Sequence, residues 1–193
     1  MKNVGLFFGS FNPIHLGHLA VAEFFTQNTN IEEVWLVVSL QSPFKEKSEL
    51  MEIRHRMAMV ELAIKGKSKL KACAEEFGLP TPNYTIETLR HFKNKYPENE
   101  FALLMGQDNL VQFDQWKDHN QILEKFQLFV YPRSQSEKIP PRLLKHPNIN
   151  YFDASLMEVS ASEIRNAIKN KKSITNLIPK KIQDYLQKFN PYH

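Results

Sequence analysis

The stretch from Val4 to His18 constrains this chain most. Val4 to Phe8 is an apolar run of the kind that forms a buried strand. Gly9, Ser10, Phe11, Asn12 and Pro13 then predict a tight turn, and a helical pattern follows with His15 and His18 in its first turn. A strand, a glycine turn and a helix start together make an anion site, because unpaired backbone N–H groups and the positive end of the helix dipole meet there. Two imidazoles three residues apart fall on one helix face. Taken alone, the pair also fits a metal pair or a capping arrangement, although His-x-x-His without a third ligand close by is a weak metal pattern.

The rest of the chain alternates buried strands with helices. Helical spacing covers Leu16 to Gln27, Leu50 to Ile64 (ended by Gly66), Tyr84 to Phe92, Leu110 to Phe113, His119 to Phe126, a helix opening over Val159 to Arg165, and a last helix from Pro179 to Phe189. Strands are predicted at Val34 to Leu40, Leu70 to Ala74, Phe101 to Met105, Gln127 to Tyr131 and Asn150 to Asp153. Proline and glycine mark Gln41 to Lys47, Glu75 to Asn83 and Ser134 to Asn148 as loops. Asn83 or Thr85 is placed to cap one helix; Ser160, with Glu163 three residues on, forms a capping box for another. The expected architecture is a Rossmann-like, doubly wound parallel α/β sheet with helices on both faces, in which ligands bind beyond the carboxyl ends of the strands. The 193 residues show neither repeat nor linker, so one domain is expected over 1–193, its C-terminal helical part beginning near 159.

Composition bounds the partners. The net charge of +4 suits nucleic acid, an anionic membrane or a phosphate-rich small molecule, without choosing among them. The densest basic run, Lys169 to Lys172, has no interleaved aromatics and reads as a solvated helix end, so no nucleic acid is expected. No apolar run approaches the roughly 20 residues that span a bilayer, and the Met-Lys-Asn start before a short strand-like run predicts no signal peptide. A single cysteine, Cys73, reads as a small core residue and fits a reducing, cytoplasmic setting.

Two signatures about 145 residues apart carry a family likeness. Gly9 through His18 resembles the His-x-Gly-His motif of the nucleotidyltransferase superfamily, and Val159 to Arg165 resembles its Ile-Ser-Ser-Thr-x-Ile-Arg motif. The segments Asn83 to Leu89 and Met105 to Trp116 narrow the resemblance to bacterial nicotinate-nucleotide adenylyltransferases, over nearly the whole chain. Asn12 stands where an aspartate is usual, Ser10 and Ser162 where threonines are usual, and Phe44-Lys45 keeps a lysine where a histidine-lysine pair is usual.

The resemblance implies a nucleotidyltransferase-type fold and transfer of AMP from ATP to nicotinate mononucleotide, giving nicotinate adenine dinucleotide and pyrophosphate without a covalent enzyme intermediate. Catalysis would then be positioning and charge neutralisation. Its expected catalytic residues are His15, His18, Arg165 and Lys45. ATP would be held by Gly9, Ser10, Phe11, His15, His18, Gly106, Asp108, Ser160, Ser162 and Arg165. Nicotinate mononucleotide would meet Ser10, Lys45, Thr85, Trp116 and Arg133. Mg²⁺ would arrive on ATP, with no protein metal site. Each residue also has a plainer reading: a solvated surface for Arg165 and Lys45, helix caps for Asp108 and Thr85, packing for Trp116. Nicotinamide mononucleotide or phosphopantetheine as acceptor, or a nucleotide sensor without turnover, are the alternative functions. The sequence leaves homo-oligomerisation open.

Overall fold

A computed structural model of the chain describes residues 1–40, 50–132, 139–153, 159–189 and 192. Six strands form one sheet: β1 (Lys2–Gly9), β2 (Glu33–Val38), β3 (Leu70–Cys73), β4 (Asn99–Gly106), β5 (Gln127–Tyr131) and β6 (Ile149–Tyr151). Their order is β3-β2-β1-β4-β5-β6, and all five pairings are parallel. This is the doubly wound order, with its reversal between β1 and β4. The helices are α1 (Leu16–Asn28), α2 (Ile53–Ile64), α3 (Thr85–Lys95), α4 (Gln107–Val111), α5 (His119–Lys125), α6 (Pro141–Leu144), α7 (Ala161–Lys169) and α8 (Lys180–Phe189).

Side chains alternate across each strand, so the sheet divides the core into two layers. On one face Phe7, Val34, Leu36, Leu104 and Phe129 pack with Phe25 of α1, Met59 and Val60 of α2, Ile164 of α7 and Ile182 of α8. On the other, Val4, Leu6, Trp35, Leu103 and Val130 pack with Leu89 and Phe92 of α3, Leu110 of α4, Ile122 of α5 and Leu143 of α6. The expectation of a parallel sheet wrapped on both faces is met. No helix among the described residues is long and apolar enough to cross a membrane.

Local expectations differ at four places. The Glu75 to Asn83 segment, expected as loop, holds a 3-10 turn at Glu75–Gly78. The expected loop from Ser134 to Asn148 contains α6, because Pro141 fits the first turn of a helix, where its missing N–H costs nothing. Asn83 and Thr85 do not cap α3. Tyr84 takes the extended N-cap position without a side-chain bond, and Thr85 is the first helical residue. The helix expected from Leu50 begins at Ile53.

The 3-10 turn is tied to α3 by Glu75. Its carboxylate accepts from Lys95 Nζ at 2.8 Å and Tyr96 Oη at 2.8 Å and meets His91 Nε2 at 2.9 Å. Partial burial works against the Glu75 charge, but the hydrogen bonds from Lys95, His91 and Tyr96 outweigh it and hold its pKa down to about 2. A carboxyl lowered on folding stabilises the fold above its unfolded pKa, and that contribution fades as pH falls through the folded value. Glu75→Gln therefore lowers the free energy of unfolding in urea by about 1–2 kcal/mol at pH 7, discounted because Lys95 stands half in water. The gap to the unmodified protein closes as pH falls from about 4.5 to about 2, and a gap independent of pH would refute this account.

Candidate active site

The carboxyl ends of β1, β4 and β5 and the starts of α1, α4 and α7 meet at one edge of the sheet. The turn after β1 is its centre. Phe11 adopts a left-handed backbone (φ 44°) while its ring is buried. That ring lies against the Cα of Gly9, where any Cβ would come within 3.1 Å of three ring carbons, so Gly9 has no room for a side chain. A left-handed residue inside a turn is the local geometry of backbone anion nests.

His15 and His18 lie side by side as expected, but only His18 is inside the helix. His15 is the N-cap of α1, just outside the helix, and His18 is the third helical residue. The two form a reciprocal capping box: His18 N donates to His15 Nδ1 and His15 N donates to His18 Nδ1, each at 3.3 Å. The rings stack with centroids 3.6 Å apart. An Nδ1 that accepts a backbone N–H carries no proton, so both rings hold theirs on Nε2. Each ring therefore turns a donor edge away from the helix backbone. His15 is buried, and the His18 ring is wedged edge-on against Phe11 at 5.0 Å and Phe7 at 6.0 Å, so neither is loose.

The second motif is joined to the first. Ser160 caps α7, its Oγ accepting from Glu163 N at 3.1 Å, which is the N-cap half of the capping box the sequence predicts. One turn on, Arg165 reaches back 153 positions: Nη1 donates to Asn12 O at 3.0 Å and Nη2 to Ser162 Oγ at 3.1 Å. Asn12 is buried and accepts twice more on its amide oxygen, from Met51 N and from Tyr192 Oη, both at 3.3 Å. Two helix starts thus converge on the Gly9–Pro13 turn, bringing their N–H groups, His15, His18, Ser10, Ser162 and Arg165 together. No acidic residue stands in the first turn of α1.

Gly106 ends β4 and Asp108 opens α4. A Cβ at Gly106 would collide with the Asp108 carboxylate and press on the Tyr131 ring at 3.2 Å, so this glycine lets the carboxylate fold over the strand end. Thr85 and Trp116 lie on neighbouring segments. Lys117 bridges them, with its Nζ 4.6 Å from the Tyr84 ring centroid and 3.2 Å from Glu87 Oε1, while Arg90 Nη2 lies 3.6 Å from Asp118. Trp116 is half-buried with its ring 5.4 Å from Phe113. Lys45 and Arg133, and the Gln41 to Lys47 loop, lie outside the described residues. No cluster of three or more His, Cys, Asp or Glu side chains able to hold a metal ion occurs among the described residues.

Three contributors escape sequence reading. Arg56, one of two arginines in the Leu50 to Ile64 pattern, has no sequence feature that sets it apart from Arg54, yet it is buried. Asn12 reads as a charge lost from the motif, yet it is the joint between the two signatures. Glu76, in a polar loop, is buried and supports the Asn83–Thr85 segment: its Oε1 accepts from Thr88 Oγ1 at 2.8 Å and its carbonyl accepts from Asn83 Nδ2 at 3.4 Å. Burial raises the Glu76 pKa, only partly offset by hydrogen bonds from Thr88 and Ser39. A helical pattern that carries two arginines, Arg54 and Arg56, or a loop that opens on two adjacent glutamates, contains no signal of which one is buried.

Comparison with known proteins agrees with this fold and with the two motifs. The family model described as cytidylyltransferase-like matches residues 6–167. A relative from Christiangramia forsetii is 43% identical over 191 residues, covering 99% of this chain and 98% of its own; one from Cytophaga hutchinsonii is 45% identical over 183 residues, covering 95% and 94%. Each is named "Probable nicotinate-nucleotide adenylyltransferase". Among solved structures, Plasmodium falciparum nicotinic acid mononucleotide adenylyltransferase complexed with NaAD superposes with a TM-score of 0.83 at 24% identity, covering 100% of this chain and 98% of that one, which speaks to the fold. From the matched motifs, the sheet order and relatives aligned end to end, the chain belongs to the cytidylyltransferase-like family, among its nicotinate-nucleotide adenylyltransferases.

Proposed function

We propose that this protein transfers AMP from Mg²⁺-bound ATP to nicotinate mononucleotide, releasing pyrophosphate and nicotinate adenine dinucleotide. The observation that carries the reading is the Arg165–Asn12 hydrogen bond, which sets the start of α7 beside the histidine-capped start of α1. A tetraphosphate-like transition state needs donors and positive charge from two directions, and two helix starts with an arginine between them supply both.

In this reading the acceptor's phosphate oxygen attacks the α-phosphorus of ATP in line, and pyrophosphate leaves with its charge balanced by Mg²⁺ and the protein. The Nε2–H groups of His15 and His18 donate to the α- and β-phosphate oxygens, and the cap bonds hold both rings in the donating tautomer. Gly9, Ser10 and Phe11 offer backbone donors to the triphosphate. Ser160, Ser162 and Arg165 grip the distal phosphates. Gly106 allows close approach of adenosine, and Asp108 accepts from its ribose. Thr85 and Trp116 frame the nicotinate ring, with an indole face suited to stacking on a pyridine. Ser10, Lys45 and Arg133 complete the acceptor's phosphate site, with Lys45 also serving the transfer step. The donors at the site are N–H groups, hydroxyls and a guanidinium, which suits a cation carried in on ATP oxygens and water. The chain acts as one catalytic unit over 1–193, in a cytoplasmic setting, with 159–193 supplying the second phosphate motif.

The test is pyrophosphate release from ATP and Mg²⁺ with each acceptor in turn. Release with nicotinate mononucleotide well above nicotinamide mononucleotide supports the proposal; release only with phosphopantetheine, or with no acceptor at all, overturns it. The capping role of His15 can be separated from its chemistry. Asparagine caps helices well, so His15→Asn keeps stability within about 1 kcal/mol. The lost donor lowers kcat by on the order of 10²-fold. His18→Ala falls by a similar factor, and near-normal turnover in either variant would show that the imidazoles are not the phosphate donors. Trp116→Ala raises the KM for the acceptor and leaves that for ATP unchanged; a rise in the ATP KM alone would place the indole on the wrong substrate.

A further inference from the structure

Among the described residues, the largest of the fully buried side chains is a cation. Arg56 of α2 is 2% exposed. Its Nε donates to Met51 O at 3.0 Å, Nη1 to Ser10 O at 2.8 Å and Ser39 O at 2.7 Å, and Nη2 to Leu40 O at 3.4 Å. These four acceptors come from the turn after β1, the exit of β2 and the approach to α2, and all are peptide carbonyls. Among the described residues no carboxylate pairs with the guanidinium. Burial lowers its pKa, but a guanidinium starts so high that it stays charged. A buried charge without a counter-ion is costly, and carbonyl dipoles compensate it only in part.

The carbonyls of Gly9 and Ser10 both face this side of the sheet, since Gly9 O accepts from Ser39 N at 3.0 Å. The C=O and N–H of a trans peptide point in opposite directions. With the Ser10 carbonyl held on Arg56, the Phe11 N–H is directed away from α2 and β2, toward the side where β4 ends in Gly106 and Asp108. The Ser10–Phe11 peptide then stands between the guanidinium and the anion site, and hydrogen bonds in series polarise one another.

We propose that Arg56 is a positioning residue for ATP: through the Ser10 carbonyl it fixes the donor direction of the phosphate-binding turn, and its charge acts on the triphosphate across one peptide unit. The proposal rests on the transferase reading. It differs from a purely structural staple of α2 to the sheet, which would change stability and leave folded protein fully active.

The experiment compares Arg56→Lys and Arg56→Ala with the unmodified protein, at a temperature where circular dichroism shows each fully folded. Kinetics are measured against both substrates, and ATP binding is measured by calorimetry. Lysine keeps the charge but has no planar fork to span three segments, so its kcat/KM for ATP falls by about 10-fold. For Arg56→Ala the loss is about 10²-fold, with partial recovery in millimolar guanidinium. The KM for the acceptor stays within about 2-fold in both. If Arg56→Ala does not fold, Arg56→Lys decides alone: unchanged kcat/KM and unchanged ATP binding in folded Arg56→Lys overturn the proposal. If the unmodified protein binds ATP but releases no pyrophosphate, the transferase reading fails; weaker ATP binding by Arg56→Lys still upholds the role of Arg56, and equal binding overturns it.

Discussion

Two peptide carbonyls, those of Ser10 and Asn12, are each held by a guanidinium from a distant part of the chain. This pair of contacts fixes the turn after β1, and the site depends on that turn. The sheet alone leaves β1 pointing at the edge with its last peptides undirected. Arg56 takes the first carbonyl from below, and Arg165 takes the second from α7. Phe11 is then driven into a left-handed conformation that its buried ring and the bare Cα of Gly9 make tolerable. The catalytic geometry is thus a product of long-range closure: neither arginine is close in sequence to the turn it shapes.

The electrostatic plan follows from the same turn. Two positive helix ends, two imidazole donor edges and a guanidinium gather where the proposed substrates carry most of their negative charge. The reciprocal cap gives the imidazoles a definite tautomer before any substrate arrives, so no reorganisation is needed when charge develops. Glu75 and Glu76 make the opposite use of charge. Glu75 gathers His91 and Lys95 at the far end of α3, and Glu76 is buried beneath its start on Thr88 and Asn83, so acidic groups brace this helix at both ends.

The sequence made the architecture legible where hydrophobic runs were long. Val34 to Val38 and Phe101 to Met105 are apolar on both faces, which only a sheet covered on both sides accommodates. The two phosphate motifs were legible because glycine, histidine and serine stand at fixed offsets from a strand or a helix start. The order of the strands was not, since it depends on pairings that leave no local mark. Short elements were hidden too: α6 begins at a proline, and the 3-10 turn at Glu75 sits in a glycine- and proline-rich stretch. Histidine is not a favoured N-cap residue, so the capping arrangement of His15 and His18 stood only as one alternative and the pair read first as two imidazoles on one helix face. Arg56 and Asn12 were illegible for a related reason. Their environment is assembled by residues far away in sequence, and polarity alone argues for exposure.

The two core layers have a further consequence. Residues proposed to hold the triphosphate rest on the layer built by α1, α7 and α8, whereas Thr85 and Trp116 rest on the layer of α3 and the segments around α4 and α5. The sheet separates them everywhere except at its carboxyl edge. Changes that reshape the acceptor pocket can therefore accumulate in one layer without repacking the other. Such a scaffold can keep one phosphate-transfer chemistry while exchanging the molecule that receives the nucleotide.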